Sequence, residues 1–181
     1  SAFETMGAEI NLESGYIETK GQLHGTKVVF PKSSVGATGN VLMACMNLEQ
    51  EIIIQNAAQE PEIVDLCNFL IKFGLTIKGV GTDELKVKGL QSNDFNDINY
   101  SIIPDRIEAG TFLIATAMCG GKVTLKNVIP SHLDIVIDKL IQSGSDIAID
   151  NKSVTILSNT NVNAVDIVTD IYPGYPTDLQ A

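Results

Sequence analysis

The sequence predicts a mixed α/β (α+β) fold built from repeated β-α-β-α-β-β units, and three observations carry that reading. A proline-led segment recurs at a steady interval. A glycine-centred segment recurs at nearly the same interval. Between these markers the apolar pattern alternates between strand-like and helix-like periods, which makes each interval one supersecondary unit.

The first series comprises Phe30-Pro31-Lys32-Ser33-Ser34-Val35-Gly36-Ala37, Ile103-Pro104-Asp105-Arg106-Ile107-Glu108-Ala109-Gly110 and Tyr175-Pro176-Thr177-Asp178-Leu179-Gln180-Ala181. Each is an apolar residue, a proline and a polar stretch that opens a helix-like run. The prolines stand 73 and 72 residues apart. The second series is Met6-Gly7-Ala8-Glu9-Ile10, Phe73-Gly74-Leu75-Thr76-Ile77 and Ser143-Gly144-Ser145-Asp146-Ile147, with glycines 67 and 70 residues apart.

One period resolves into elements as follows. Val28 to Phe30 ends a strand, and Ser34 to about Leu48 reads as a helix with Val41, Leu42, Cys45, Met46 and Leu48 apolar. Glu51 to Gln55 is a short β-branched strand. Glu62 to Phe73 is an amphipathic helix with Ile63, Leu66, Cys67, Leu70 and Phe73 on one face. Gly74 stands where a left-handed C-cap glycine belongs. The strand Leu75 to Gly79 then pairs with Leu85 to Val87 through the turn at Val80 to Asp83.

The next period repeats the plan. It predicts a strand from Tyr100 to Ile103, a helix to Cys119, a strand from Val123 to Leu125 and a helix from Leu133 to Ser143. A hairpin of Asp146 to Ile149 with Val154 to Leu157 follows. The Asn- and Asp-rich stretch Gln91 to Asn99 reads as the linker. Ser1 to Gly7 reads as the end of an incomplete helix, and Asp178 to Ala181 as a helix just opening, so further units are expected on both sides.

The chain has 181 residues, 44% of them hydrophobic, enough for a packed core. No apolar run approaches the ~20 residues that span a bilayer, and no charged-then-apolar leader opens the chain. Cys45, Cys67 and Cys119 are too scattered for a disulfide framework or a zinc site, and each is expected to be a small buried hydrophobe. Free thiols of this kind fit the cytoplasm. A net charge of −10 argues against sequence-independent nucleic-acid binding, which needs clustered cations. An anionic small molecule would need a local lysine or a helix N-terminus. His24 and His132 are isolated from other ligating residues, and no metal is expected.

Lys32 to Ala37, Glu60-Pro61-Glu62-Ile63-Val64-Asp65, Pro104 to Thr111 and Tyr175 to Ala181 are together similar to motifs of the enolpyruvyl transferase family, and closest to its UDP-N-acetylglucosamine branch in peptidoglycan synthesis. The resemblance covers essentially the whole chain. It implies two globular halves built from six such units, with the active site in the cleft between them. Residues 1–103 would then belong to one half and 104–181 to the other. The implied reaction moves enolpyruvate from phosphoenolpyruvate to the sugar 3-hydroxyl by addition and elimination, without metal or organic cofactor.

By the same resemblance Asp178 is the candidate catalytic carboxylate, acting as base on the sugar hydroxyl or in proton traffic at the adjacent carbon. From the residues alone it reads first as a helix N-cap, and only the resemblance turns the reading to a catalytic carboxylate. Lys32, Ser33, Ser34, Val35 and Gly36 resemble the contacts to the UDP-sugar, alongside Asp178. A helix start with one lysine suits a diphosphate, and Gly36 leaves the backbone bare for its approach; a plain serine cap is the alternative. Glu60 and Glu62 would sit in a polar cluster near the domain interface. Asp105, Arg106 and Glu108 are read with them, as a salt-bridged hinge or as ligand contacts.

The family's phosphoenolpyruvate-binding cations and reactive loop cysteine lie outside the matching segment, and Arg106 is the only arginine here. The piece alone is therefore expected not to turn over, and its uncapped repeats to self-associate. Two other readings stay open. One is the sister enzyme acting on shikimate 3-phosphate. The other is a non-catalytic repeat module that binds a UDP-sugar.

Overall fold

Three left-handed glycines set the rhythm of the chain. Gly7, Gly74 and Gly144 have φ of 105°, 118° and 100°, and each is followed by the same pair of backbone bonds. The glycine N–H donates to the carbonyl three residues back (Glu4, Ile71 and Ile141, each at 3.0 Å). The next N–H reaches five back: Ala8 to Phe3 at 2.8 Å, Leu75 to Leu70 at 3.0 Å and Ser145 to Leu140 at 3.0 Å. This is the C-terminal device that satisfies the last carbonyls of a helix, and it needs a residue free of Cβ at the reversal.

The computed structural model describes residues 1–90, 97–159 and 161–180. They divide into two compact units, Ser1–Ser101 and Ile102–Ala181. In the first, α1 (Ala2–Thr5) leads to a hairpin of β1 (Glu9–Glu13) and β2 (Tyr16–Lys20). Then come β3 (Lys27–Val29), α2 (Val35–Ala44) with a 3-10 turn Cys45–Asn47, β4 (Ile52–Gln55), α3 (Pro61–Phe73), β5 (Thr76–Lys78) and β6 (Glu84–Lys88). The sheet order is β3-β4-β6-β5, parallel between β3 and β4 and antiparallel elsewhere. Alternation in β4 and β6 points Ile52, Ile54, Leu85 and Val87 inward, against Val41, Leu42, Ile63, Cys67 and Leu70 of the two helices.

The second unit holds α4 (Arg106–Cys119), β7 (Gly121–Lys126), a 3-10 turn Pro130–His132, α5 (Asp134–Gln142), β8 (Asp146–Asp150), β9 (Ser153–Ser158) and a final 3-10 turn Thr177–Leu179. Its sheet runs β7-β9-β8, all antiparallel. Leu113, Val136, Ile137, Val154 and Ile156 form its core, together with Tyr175 and Leu179 from the C-terminal segment. No helix among the described residues is long and apolar enough to cross a membrane.

Two expectations are corrected. Tyr100 to Ile103 is not a strand. Tyr100 instead turns onto α3, where its hydroxyl donates to the Asp65 carbonyl at 3.0 Å and to Asp65 Oδ1 at 2.7 Å. Its ring meets Phe69 edge-on with centroids 5.3 Å apart. A strand exists only through a partner, and here the aromatic side chain has found a better one in the helix. Cys119 is exposed rather than buried, because it ends α4 beyond the stripe that faces the core. The predicted linker lies partly outside the described residues, at 91–96.

Candidate functional site

The start of α2 is built differently from its counterpart in the second unit. Ser34 caps it in an extended conformation (φ −148°, ψ 120°), its Oγ accepting from Ala37 N–H at 3.3 Å and its carbonyl accepting from Thr38 N–H at 2.9 Å. The first turn holds no acidic residue. The N–H groups of Val35 and Gly36 have no protein acceptor among the described residues, and Gly36 faces open space, since a Cβ there would meet nothing within 4 Å. Lys32 is exposed beside this turn.

At α4 the cap is Asp105. Its Oδ1 accepts from Ile107 N–H at 2.8 Å and Glu108 N–H at 3.1 Å, and Glu108 adds a second negative charge to the turn. Counted from the caps, Ser34 and Asp105, Gly39 and Gly110, and Asn56 and Asn127 are each 71 residues apart. The prolines are 73 apart, so the α2 copy carries two extra residues between proline and cap. One of those two residues is Lys32. A carboxylate occupies donors of α4, whereas at α2 a neutral hydroxyl takes the Ala37 N–H and those of Val35 and Gly36 meet no protein acceptor among the described residues.

A single turn holds the approach to α2 at both ends. Phe30 N–H donates to Gln55 carbonyl at 3.0 Å, and Asn56 Nδ2 donates back to the Phe30 carbonyl at 2.7 Å. Asn56 itself is left-handed, with φ 56°. Two residues on, Ala58 N–H donates to Oγ1 of Thr38, a fully buried residue in the second turn of α2, at 3.0 Å. Glu60 follows, buried, with Oε2 lacking a partner among the described residues, while Glu62 is exposed on the first turn of α3.

Asp178 lies in the second unit. Its 3-10 turn, Thr177–Leu179, is capped by Pro176, so Asp178 is inside the turn and not its cap. The carboxylate is exposed and makes no hydrogen bond among the described residues. The turn is fixed by its neighbours: Leu179 is buried against α4, and the buried Tyr175 hydroxyl donates to the Leu179 carbonyl at 3.1 Å. Burial pushes the Tyr175 phenol up. Arg106 stacks over Tyr172, its guanidinium carbon 5.5 Å from the ring centroid. With Asp134, Pro176 and Leu179 these two line a cavity of about 90 Å³.

Lys32 to Gly36, Glu60 and Glu62 thus belong to the first unit, and Asp105, Arg106, Glu108 and Asp178 to the second. The sequence motifs contain Gly110 and Tyr175 without giving either a role, and do not include Thr38 or Asn56 at all. The spacing of Asn56 and Asn127, both left-handed, was the one available signal.

A family model for EPSP synthase (3-phosphoshikimate 1-carboxyvinyltransferase) matches residues 1–181. The chain belongs to the EPSP synthase family. Among its relatives, a UDP-N-acetylglucosamine 1-carboxyvinyltransferase from Clostridium botulinum is 46% identical over 179 residues, covering 98% of this chain and 42% of that protein. One of the same name from Campylobacter hominis is 42% identical over 181 residues, covering 100% of this chain and 43% of that protein. The chain spans about two fifths of the length of these relatives.

Two solved structures share the fold of this EPSP synthase family member. The enolpyruvyl transferase NikO from Streptomyces tendae superposes with a TM-score of 0.83 at 18% identity, over 99% of this chain and 46% of that one. EPSP synthase from Acinetobacter baumannii gives 0.60 at 22% identity, over 93% and 40%. The repeated α/β architecture read from the sequence is therefore that of enolpyruvyl transferases.

Proposed function

We propose that this chain is the middle portion of a UDP-N-acetylglucosamine 1-carboxyvinyltransferase, a cytoplasmic enzyme of peptidoglycan and cell-wall synthesis. Residues 1–103 would belong to one globular half and 104–181 to the other. The observation that carries the reading is the start of α2, whose free N–H groups, bare Gly36 and adjacent Lys32 suit a diphosphate. The names of relatives above 40% identity favour the UDP-sugar over shikimate 3-phosphate.

In this reading Lys32, Ser33, Ser34, Val35 and Gly36 hold the diphosphate and so fix the sugar. The 3-hydroxyl oxygen adds to C2 of phosphoenolpyruvate while C3 takes a proton. The tetrahedral adduct then loses a proton from C3 and expels phosphate, restoring the enol ether. Asp178, with both oxygens free, accepts the hydroxyl proton or serves the proton exchange at C3. The phosphate and carboxylate of phosphoenolpyruvate need several cations, which the rest of the enzyme would supply.

UDP-N-acetylglucosamine is expected to raise the melting temperature of the intact protein, and shikimate 3-phosphate to leave it unchanged. The opposite pattern would overturn the assignment. The 181-residue chain alone is expected to release no phosphate from phosphoenolpyruvate.

A further inference from the structure

The segment that would carry the diphosphate, Phe30 to Ser34, is a short irregular passage between a strand and a helix. Such a passage has backbone freedom of its own, and a binding group on it is only as well placed as its ends are fixed. Both ends are held here, and by one short turn, Asn56 to Ala58.

Asn56 grips the strand exit. Its carboxamide donates to the Phe30 carbonyl at 2.7 Å, one residue before Pro31, whose ring leaves no N–H for further sheet pairing. To place the carboxamide there, Asn56 adopts φ 56°, a conformation that asparagine tolerates better than other side chains. Ala58 grips the helix entry by donating its N–H to the buried Thr38 hydroxyl at 3.0 Å. Thr38 is one turn beyond Ser34 and bonded to it through its own N–H at 2.9 Å. The tether therefore sets where the first turn of α2 points.

The second unit supplies an internal comparison. Asn127 keeps the left-handed backbone (φ 56°), but the counterpart of Thr38 is Ala109, which has no hydroxyl. The full clamp accompanies the copy with the open helix start and the two extra residues, and is absent from the copy capped by Asp105.

From this we infer that Asn56 and Thr38 are positioning residues for the UDP-sugar, holding the Lys32-to-Gly36 segment through the Asn56–Ala58 turn. The inference rests on the diphosphate reading given above. Neither side chain touches the ligand. Both act through the backbone that does.

The test uses steady-state kinetics of the intact protein. Asn56→Gly keeps the left-handed backbone without strain and removes only the carboxamide. Thr38→Val deletes the hydroxyl at nearly constant shape, and Thr38→Ser retains it. Asn56→Gly and Thr38→Val are expected to raise KM for UDP-N-acetylglucosamine by about tenfold, the size of one lost hydrogen bond. KM for phosphoenolpyruvate should stay within about twofold, and Thr38→Ser should remain near the parent on that same scale. A merely structural role would lower stability and raise both KM values together, which overturns the inference. Lys32→Ala separates the two levels. If it raises KM for the UDP-sugar while Asn56→Gly does not, the clamp is wrong and the diphosphate reading stands. If neither raises it, both are wrong.

Discussion

Leu179 sits in the notch that Gly110 leaves on α4. A Cβ on Gly110 would stand 2.6 Å from Leu179 Cδ1 and 3.5 Å from Cδ2, so the glycine is what allows this contact. Glycine inside a helix costs about 1 kcal/mol relative to alanine, and the room it gives Leu179 accounts for its presence.

Gly110→Ala sets those two effects against each other. The helix gains about 1 kcal/mol of propensity. The obstructing atom is the far end of a rotatable side chain, so Leu179 gives way before the helix does. Asp178 is the adjacent residue and moves with it. Stability is expected to change by less than about 1 kcal/mol in urea unfolding, while kcat of the intact protein falls by about tenfold. A fall in stability with kcat intact would refute this.

Ser34→Asp transplants the α4 cap onto α2. Aspartate caps as well as serine and suits the helix dipole, so the melting temperature should hold or rise. The new carboxylate would occupy the free donors and repel a diphosphate. KM for UDP-N-acetylglucosamine is expected to rise by more than about tenfold. Unchanged KM would remove the α2 start from the site.

The glycine stops give a stability prediction. Gly74→Ala and Gly144→Ala force an alanine to φ 118° and 100°. Each is expected to cost about 1–2 kcal/mol in denaturant unfolding, with Gly74→Ala the larger because Leu90 Cδ2 would lie 3.1 Å from its Cβ. Equal stability to the parent would contradict the observed backbone.

The three thiols divide by burial. Desolvation pushes Cys45 to about 12 and Cys67 to about 11, so neither forms thiolate near neutrality, whereas Cys119 is exposed. A thiol reagent at pH 8 should therefore titrate one cysteine in the native protein and three after unfolding. These folded-state values lie above the unfolded ones, so their stabilising share is complete below about pH 8.5. It is lost as pH rises towards 11 and 12. The melting temperature should decline over that alkaline range, and Cys67→Val should flatten part of the decline.

Much of the architecture was legible because its signals are local. Gly74 and Gly144 follow amphipathic runs, and a positive φ there depends on few neighbours. The helix of Glu62 to Phe73 declared itself through one apolar face. What escaped depends on partners distant in the chain. Tyr100 to Ile103 has strand composition, yet Asp65 and Phe69 decide its fate. Cys119 was misread because an apolar window does not reveal which side of the last turn faces out. The Lys32-to-Gly36 segment was legible as a helix start, but its clamp joins Phe30 to Asn56 and Thr38 to Ala58 across 26 and 20 residues.

Among the described residues strand β7 is an edge of its sheet, in the position where β3 covers β4 in the first unit. Its open side is a template on which another extended chain could lengthen the sheet. Lys122, Thr124 and Lys126 stand exposed along it. Two like charges at alternate positions discourage a second copy from adding its own β7 alongside. That guard is electrostatic and weakens as salt shortens the Debye length to about 3 Å at 1 M. Ionic strength, more than concentration alone, should then govern whether copies of this chain stay apart in solution.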